Sequence, residues 1–437
     1  MKHRLSRRDF LRTSAAAAAA PMIVPASVFG TQDKAAPSKR LTLGFIGCGT
    51  MNYGHLRRAQ GMAEVQIVAV CDVDKSRRDF FAKKTDDAYS KDTTHKGVAV
   101  YNEFEEIIDR KDIDAVVVAT PDHWHTLLSV LAMKAGKDVY CEKPLTLTIH
   151  EAKLMIDAAR KYQRVLQTGS QQRSDWEFQV AINMVHKGAI GKVRQVIVDV
   201  GGPSKPCDLA EEPMEPGLDW DRWLGPAPKR PYNAILSPRG VHTHFPAWRN
   251  YREYSGGMMT DWGAHHFDIT QAVLGMDQAG PVEIIPPEDP SKGVGVKYVY
   301  ANGVEVIHGK SGGVKIIGSE GEILVNRGKL ESTPASLTQK YRGEKGLKAP
   351  SGPDEFLPAR PVSHFKNWLD CIKTRQKPIA DVEIGARSVT VCHLGNLAYW
   401  NKRKLKWDPE KWEFPGDAEA NGWRTRERRD PWQLPQL

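Results

Sequence analysis

Three stretches of the chain gather side chains able to move protons. In Gly256-Gly257-Met258-Met259-Thr260-Asp261-Trp262-Gly263-Ala264-His265-His266-Phe267-Asp268, Asp261 and His265 are four residues apart and would share a face of a helix. A carboxylate beside an imidazole orients the ring and raises its basicity, which suits general acid–base work near neutral pH. A structural helix with buried histidines is the alternative reading. With no third histidine-type ligand at suitable spacing, no metal is expected. Val139-Tyr140-Cys141-Glu142-Lys143-Pro144 ends an apolar run with Lys143 beside Glu142. A crowded lysine whose pKa is adjusted can give or take a proton, whereas the pair in isolation reads as a surface Glu–Lys before a turn proline. Ala119-Thr120-Pro121-Asp122-His123-Trp124-His125 follows another apolar run in the same way.

A fourth motif suits a phosphate. Leu43-Gly44-Phe45-Ile46-Gly47-Cys48-Gly49-Thr50-Met51-Asn52 runs from a strand pattern into a glycine turn. Gly47 permits the tight turn, and Gly49 lets backbone approach a pyrophosphate at the positive end of the next helix. Asn52 stands where a third glycine is usual, and Gly54 follows two residues on. Asp72 closes the next strand pattern 23 residues after Gly49, where a carboxylate takes both ribose hydroxyls and repels a 2′-phosphate. That favours NAD over NADP.

The elements that must position these motifs follow from periodicity. Leu41–Ile46, Val65–Val70, Ala115–Ala119, Val139–Cys141 and Val165–Gln167 read as strands, with helices at Lys75–Lys84, Glu103–Asp109, Thr126–Ala135 and Ile149–Tyr162. Strands apolar on both faces and separated by helices predict an α/β fold with a doubly wound parallel sheet over residues 40–168. Ligands bind such sheets at the carboxyl ends of the strands, where the motifs fall. Asp175–Lys187 reads as a further helix, and from Val193 the pattern changes to antiparallel strands. Val296–Val299 and Val304–Ile307 flank the hairpin signal Asn302-Gly303, and Val314–Ile317 and Glu322–Val325 flank a second turn. An α+β domain is therefore expected over residues 169–410, with late helices near Val362–Thr374 and Ile384–Lys402 that can pack back on the first domain, and a tail at 411–437. Residues 201–260, rich in Pro, Gly and Trp, are expected to line a site or an interface.

The first 39 residues read as an address and linker. Ser6-Arg7-Arg8-Asp9-Phe10-Leu11 precedes an Ala-rich apolar run, with Val24-Pro25-Ala26 as a cleavage site. This pattern predicts export of a folded protein by the twin-arginine translocation machinery, hence a periplasmic or otherwise exported location. The run of about 14 residues is short of the roughly 20 that span a bilayer, so no permanent membrane span is expected. The chain carries a formal charge of +9, of which +6 lies in its first 40 residues, so the basic balance gives little support to nucleic-acid binding. Its six cysteines, Cys48, Cys71, Cys141, Cys207, Cys371 and Cys392, contain no C-x-x-C pair.

Taken in order, the glycine turn, Thr-Pro-Asp-x-x-His, Glu-Lys-Pro and Asp-x-x-x-His resemble the glucose–fructose oxidoreductase/inositol dehydrogenase/MocA family over residues 40–410. The resemblance implies a Rossmann domain followed by an α+β domain with a large open, mainly antiparallel sheet, through which copies assemble into a homo-oligomer. It implies that Lys143 transfers the proton with Asp261 and His265 as partners. Gly47, Gly49, Thr50, Met51, Asn52, Asp72, Thr120, Asp122, His125, Glu142, Lys143 and Gln171 would hold the NAD. Arg173, His244 and Arg249 would face a carbohydrate or polyol. Asp122 replaces an Asn frequent in the family, and Asn52 the third glycine. The activity implied is hydride transfer between nicotinamide and a secondary alcohol of a sugar, glycoside or polyol, with tightly held NAD. An NAD-dependent glycoside hydrolase that oxidises, eliminates, hydrates and reduces is the alternative. Its relatives' Tyr-Pro-Thr-His motif is replaced here by Asp261-Trp262-Gly263-Ala264-His265. A non-catalytic binding protein would need a broken site, whereas Lys143, Asp261 and His265 are all present.

Overall fold

In the computed structural model, residue 36 and residues 39–92, 95–344, 346–357 and 363–437 are described. The twin-arginine segment and its cleavage site lie outside them. Six parallel strands form the first sheet: β1 (Leu41–Ile46), β2 (Val65–Cys71), β3 (Ala99–Tyr101), β4 (Ala115–Val118), β5 (Asp138–Cys141) and β6 (Leu166–Thr168). Their order, β3-β2-β1-β4-β5-β6, reverses direction between β1 and β4, which opens a crevice beyond those two strand ends. The short β3 was not predicted, because Ala-Val-Tyr is too brief to carry a period.

Helices α1 (Thr50–Gln60), α2 (Lys75–Ala88), α3 (Phe104–Asp109), α4 (Asp122–Lys134) and α5 (Ile149–Lys161) cover this sheet. Local chemistry sets their starts. Asp74 caps α2 by accepting from Ser76 N at 2.8 Å, and Thr148 caps α5 by accepting from Glu151 N at 3.3 Å. Helix α4 begins four residues before the predicted Thr126, since Pro121 is extended (ψ 151°) and releases the chain into a helix at Asp122. The motif following β4 thus occupies a first helical turn.

The chain then forms α6 (Trp176–His186) and β7 (Val193–Val198), α7 (Trp220–Leu224), α8 (Met258–Asp261) and α9 (Gly263–Leu274). Strands β8 (Pro281–Ile285), β9 (Lys297–Tyr300), β10 (Glu305–His308), β11 (Val314–Gly318), β12 (Glu322–Asn326) and β13 (Lys329–Thr333) follow. Helices α10 (His364–Thr374) and α11 (Val382–Asn401) precede β14 (Leu405–Lys406). The second sheet runs β13-β12-β11-β7-β10-β9-β8-β14, antiparallel except where β10 pairs with β7. Helices α9 and α11 bury its inner face: Phe267 meets Tyr298 edge-on at 5.2 Å, and Tyr300 donates its hydroxyl hydrogen to Gln271 Oε1 at 2.6 Å.

Helix α10 packs back on the first sheet, burying Phe365, Trp368 and Leu369 among Leu43, Phe45 and Tyr140. The last residues are no appendage either. Trp412, Phe414, Ala420 and Trp432 lie in the main core, and the Arg428 guanidinium pairs with buried Glu151 of α5. Residues 201–260 have a small core of their own, with Trp220 stacked on Trp223 at 4.6 Å and Leu224, Tyr232, Leu236 and Tyr254 around them. Among the described residues no helix is long and apolar enough to cross a membrane.

Candidate active site

The glycine turn is built by β1. Gly47 has φ +86°, and a Cβ there would stand 2.8 Å from the carbonyl oxygen of Ala119, so the turn closes against the end of β4. At Gly49, a Cβ would meet nothing within 4 Å; that open space lies at the amino end of α1. Asn52 explains its own departure from glycine. Its side chain folds back into the turn and donates to Gly47 O at 2.6 Å, so it braces the loop from behind. A nicotinamide dinucleotide fits this cradle: open backbone at Gly49, a helix amino end, and a carboxylate at the next strand end.

That carboxylate is Asp72. Its Oδ2 accepts from Cys48 N at 2.6 Å and its Oδ1 from Asp74 N at 2.8 Å, which fixes the group beside the turn and leaves lone pairs free. Burial pushes its pKa upward against the pull of Arg77 and the two backbone bonds. Neither neighbouring arginine is idle. Arg77 donates to Gly240 O, Ser237 Oγ and Pro238 O, and Arg78 to Asp72 O and Asn102 Oδ1.

Through Arg77 the irregular segment is strapped across the turn. The Thr50 hydroxyl donates to His242 O at 3.2 Å and His244 O at 3.0 Å, which brings the strap directly over the start of α1. His244 therefore has its backbone at the glycine turn and its side chain exposed, and it does not line the cleft.

Beyond the strap, a cleft of about 560 Å³ joins the glycine turn, Asp72, Thr120, Asp122, Glu142 and Gln171 to Lys143, Asp261 and His265. Lys143 Nζ donates to Asp261 Oδ1 at 2.8 Å and to Asp261 O at 3.0 Å. Arg249 Nε also donates to Asp261 Oδ1, at 3.2 Å. Burial opposes the charge on Asp261, but the two cations hold its carboxyl below the usual range. Glu142 is fixed by His55 Nε2 at 2.8 Å, Gln171 Nε2 at 2.8 Å and the backbone N of Lys143 at 3.1 Å. Burial opposes its charge, but the bond and field of His55 and the field and backbone bond of Lys143 hold its carboxyl below the usual range. Met51 and Thr120 line the same cleft, and the Thr120 hydroxyl is buried without a protein partner.

The expected Asp261–His265 couple does not form. The helical ladder is interrupted at Trp262, between α8 and α9: Asp261 O accepts from Lys143 Nζ, and His265 N bonds Trp262 O instead. Instead Arg327 Nη2 faces His265 Nε2 at 3.0 Å. A guanidinium can only donate, so Nε2 accepts and the ring carries its proton on Nδ1. Burial, with Lys143 and Arg327 nearby, pulls the His265 pKa well below the ordinary histidine value. His265 is thus a neutral Nδ1–H donor, the reverse of a ring made basic by a carboxylate.

Two further expected contacts are corrected. Arg173 is 5% exposed and spends its fork on Asp268 (2.7 Å) and Asp277 (2.7 and 2.9 Å), pinning the turn after β6 to α9, away from the cleft. His125 is buried beneath the site, with Nδ1 2.9 Å from Pro144 O and Nε2 2.9 Å from Thr120 O, and its single N–H donates to one of these two carbonyls at a time. Sequence reasoning missed His55, which carries no motif, and Arg327, which sits on the turn between β12 and the unforeseen β13. Among the described residues no group of three or more His, Cys, Asp or Glu side chains is placed to hold a metal.

Asp122 is 1% exposed, accepts from the Ser255 hydroxyl at 2.6 Å, and has its Oδ1 buried without a partner. Burial pushes its carboxyl up to about 7 from 3.8, against the Ser255 bond and the field of Arg249. Between those two values the folded chain keeps a proton that the unfolded chain has lost. Stability therefore falls as pH rises toward 7 and levels off above it. Asp122→Asn mimics the neutral carboxyl. It should raise the melting temperature above wild type by an increment that grows from pH 4 to pH 7 and then stays constant; an increment independent of pH would contradict the raised value.

A doubly wound sheet with its glycine turn at the switch point, a strand-end carboxylate and an inward lysine defines a dinucleotide-binding oxidoreductase fold. Residues 41–170 match the model of the oxidoreductase family with an NAD-binding Rossmann fold, and residues 203–434 match the C-terminal alpha/beta domain of the same family. The chain belongs to this glucose–fructose oxidoreductase/inositol dehydrogenase/MocA family. Residues 4–23 match the twin-arginine translocation signal sequence, as the sequence predicted. An inositol 2-dehydrogenase of Salmonella paratyphi B is 32% identical over 154 residues, 35% of this chain and 43% of that protein. A glycosyl hydrolase family 109 protein of a Shewanella species is 24% identical over 208 residues, 44% of this chain and 45% of that protein. These matched regions span less than half the length of either relative. The structure of an aldose–aldose oxidoreductase from Caulobacter crescentus superposes with a TM-score of 0.55 at 21% identity, covering 84% of this chain and 99% of the other, which shows the shared fold.

Proposed function

We propose that the chain transfers a hydride between NAD and a secondary alcohol of a sugar, glycoside or polyol, with Lys143 moving the hydroxyl proton. The observation that carries this reading is Lys143 Nζ held on Asp261 in the cleft that also contains the glycine turn. A bound nicotinamide supplies the hydride acceptor or donor. In the oxidative direction the hydroxyl proton passes to the Nζ amine of Lys143; in the reductive direction the ammonium returns it. Asp261 holds Nζ in place and balances its charge, while His265 Nδ1–H donates to the substrate. Gly47, Gly49, Thr50, Met51, Asp72, Thr120, Asp122, Glu142 and Gln171 form the dinucleotide side, and Arg249 the sugar side.

NAD is preferred to NADP in this reading. Asp72 repels a 2′-phosphate, and Arg77 and Arg78 already have partners. Asp72→Ala should weaken NAD binding and narrow its advantage over NADP, read from paired titrations. A wild type that binds NADP more tightly would reject the assignment of Asp72.

The strap over α1 supports slow release of the cofactor. Export in folded form supports loading before export, since free NAD should be scarce outside the inner membrane, and it supports the periplasm as the working compartment. The outer face of the second sheet, with half-buried Ile197, Val299 and Ile307 beside the Lys297–Glu305 pair, supports a homo-oligomer. The test is to purify the protein without added cofactor, dialyse it, measure bound nucleotide, and then follow nicotinamide reduction with a panel of sugars and polyols. Empty protein that needs millimolar NAD would reject tight retention. No oxidation of any secondary alcohol would reject the reaction.

A redox-neutral glycosidase is the second reading, favoured by the match to a family 109 glycosyl hydrolase. Release of an aryl leaving group without net change in bound NADH would select it over the dehydrogenase.

A further inference from the structure

We propose that the substrate mouth of the cleft is an anion site, with Arg327 receiving the carboxylate of an acidic sugar. This rests on the proposed sugar chemistry and names its substrate class. The charge arrangement is the starting point. Lys143 and Arg249 share one carboxylate, Asp261, whereas Arg327 forms no ion pair among the described residues. Asp175 feels Arg327 only as a field acting across space, without a bond.

Although exposed, Arg327 is held in one orientation. Its Nη2 donates to His265 Nε2 at 3.0 Å, and its guanidinium lies over the Trp262 ring, 4.9 Å from the centroid. With the Gln172 amide set to satisfy its neighbours, Gln172 accepts from Arg327 Nε at 3.1 Å. A long, flexible side chain with no carboxylate to satisfy normally spreads into water. Here His265 of α9, Trp262 just before it and Gln172 of the turn before α6 hold it, and Arg327 lines the cleft. A planar fork with free N–H donors matches a carboxylate bidentately.

Beside it stand apolar surfaces suited to a sugar ring. Trp262 is 38% exposed and Phe245 59%, and both line the cleft. Arg249 stacks on Trp248 at 4.2 Å, so a second cation reinforces the same field. A ring resting on Trp262 with its carboxylate on Arg327 brings its hydroxyls toward His265, and so toward Lys143. Acid and alcohol would then be at opposite ends of one substrate.

The test is calorimetric titration of the full chain saturated with NADH, using a hexuronate, the corresponding neutral hexose and its 6-phosphate. The hexuronate should bind at least about 10-fold more tightly than the hexose, and Arg327→Met should weaken it about 10- to 100-fold, as loss of a charged hydrogen-bonded pair does. The preference should also shrink as salt is added. Equal binding of acid and neutral sugar, or an Arg327→Met protein that keeps the preference, would overturn the proposal. Tighter binding of the 6-phosphate than of the hexuronate would overturn the carboxylate assignment. Turnover is scored separately: a hexuronate that binds through Arg327 but is never oxidised retains the anion site and rejects the hydride-transfer reading.

Discussion

Lys143→Ala should lower turnover by about 10²–10⁴, the usual contribution of a positioned acid–base group. The fold should survive, because Asp261 keeps Arg249 as a partner and Lys143 contributes no apolar core. Dinucleotide content should change little, since the glycine turn and Asp72 are untouched. Lys143→Arg restores the charge beside Asp261 but not the proton transfer, because a guanidinium stays protonated at all working pH values. It should therefore recover stability without recovering rate. Near-native turnover by folded Lys143→Ala protein would move the proton to another group, and the neutral His265 would be the next to test.

The second large effect concerns a residue expected from sequence to touch substrate. Arg173→Ala should cost about 3–5 kcal/mol of stability, because it leaves the carboxylate of Asp268 buried at 0% exposure without its cation. Denaturant midpoints measure this. Asp268→Asn in the same chain should recover part of the loss, since the amide needs no counter-charge and Ser388 can still bond to it. Protein that remains folded should bind sugars as wild type does. Unchanged stability with a raised KM would restore Arg173 to the substrate pocket.

Local pattern made the first domain legible. Strands apolar on both faces, helical periods between them, and a glycine turn followed by Asp72 carry their meaning within a few residues, because each is a statement about backbone and nearest neighbours. The signal segment is legible for the same reason. Asn52 could be seen to depart from glycine, but its bond back to Gly47 depended only on the turn closing, and the turn was already specified.

Longer-range assignments divided according to what the side chain meets after folding. Lys143, Glu142 and Asp261 converge, although 118 residues separate the lysine from the aspartate, because both strand end and helix end open onto one crevice. The basicity of His265 came out opposite to expectation. Its spacing from Asp261 fixed a shared helical face only if the helix continued, but the ladder breaks between α8 and α9, and the ring nitrogen meets Arg327 instead.

By itself, then, the sequence determined the parallel α/β domain, the glycine turn, the acidic strand end and the export address, all of which depend on contacts close along the chain. Only the tertiary structure decided that Arg173 and His125 are internal braces, that His244 belongs to a strap over the turn, and that Arg327 reaches the mouth of the cleft. Charge, hydrogen-bond partner and burial of those side chains are set by elements distant in sequence, so no local pattern encodes them.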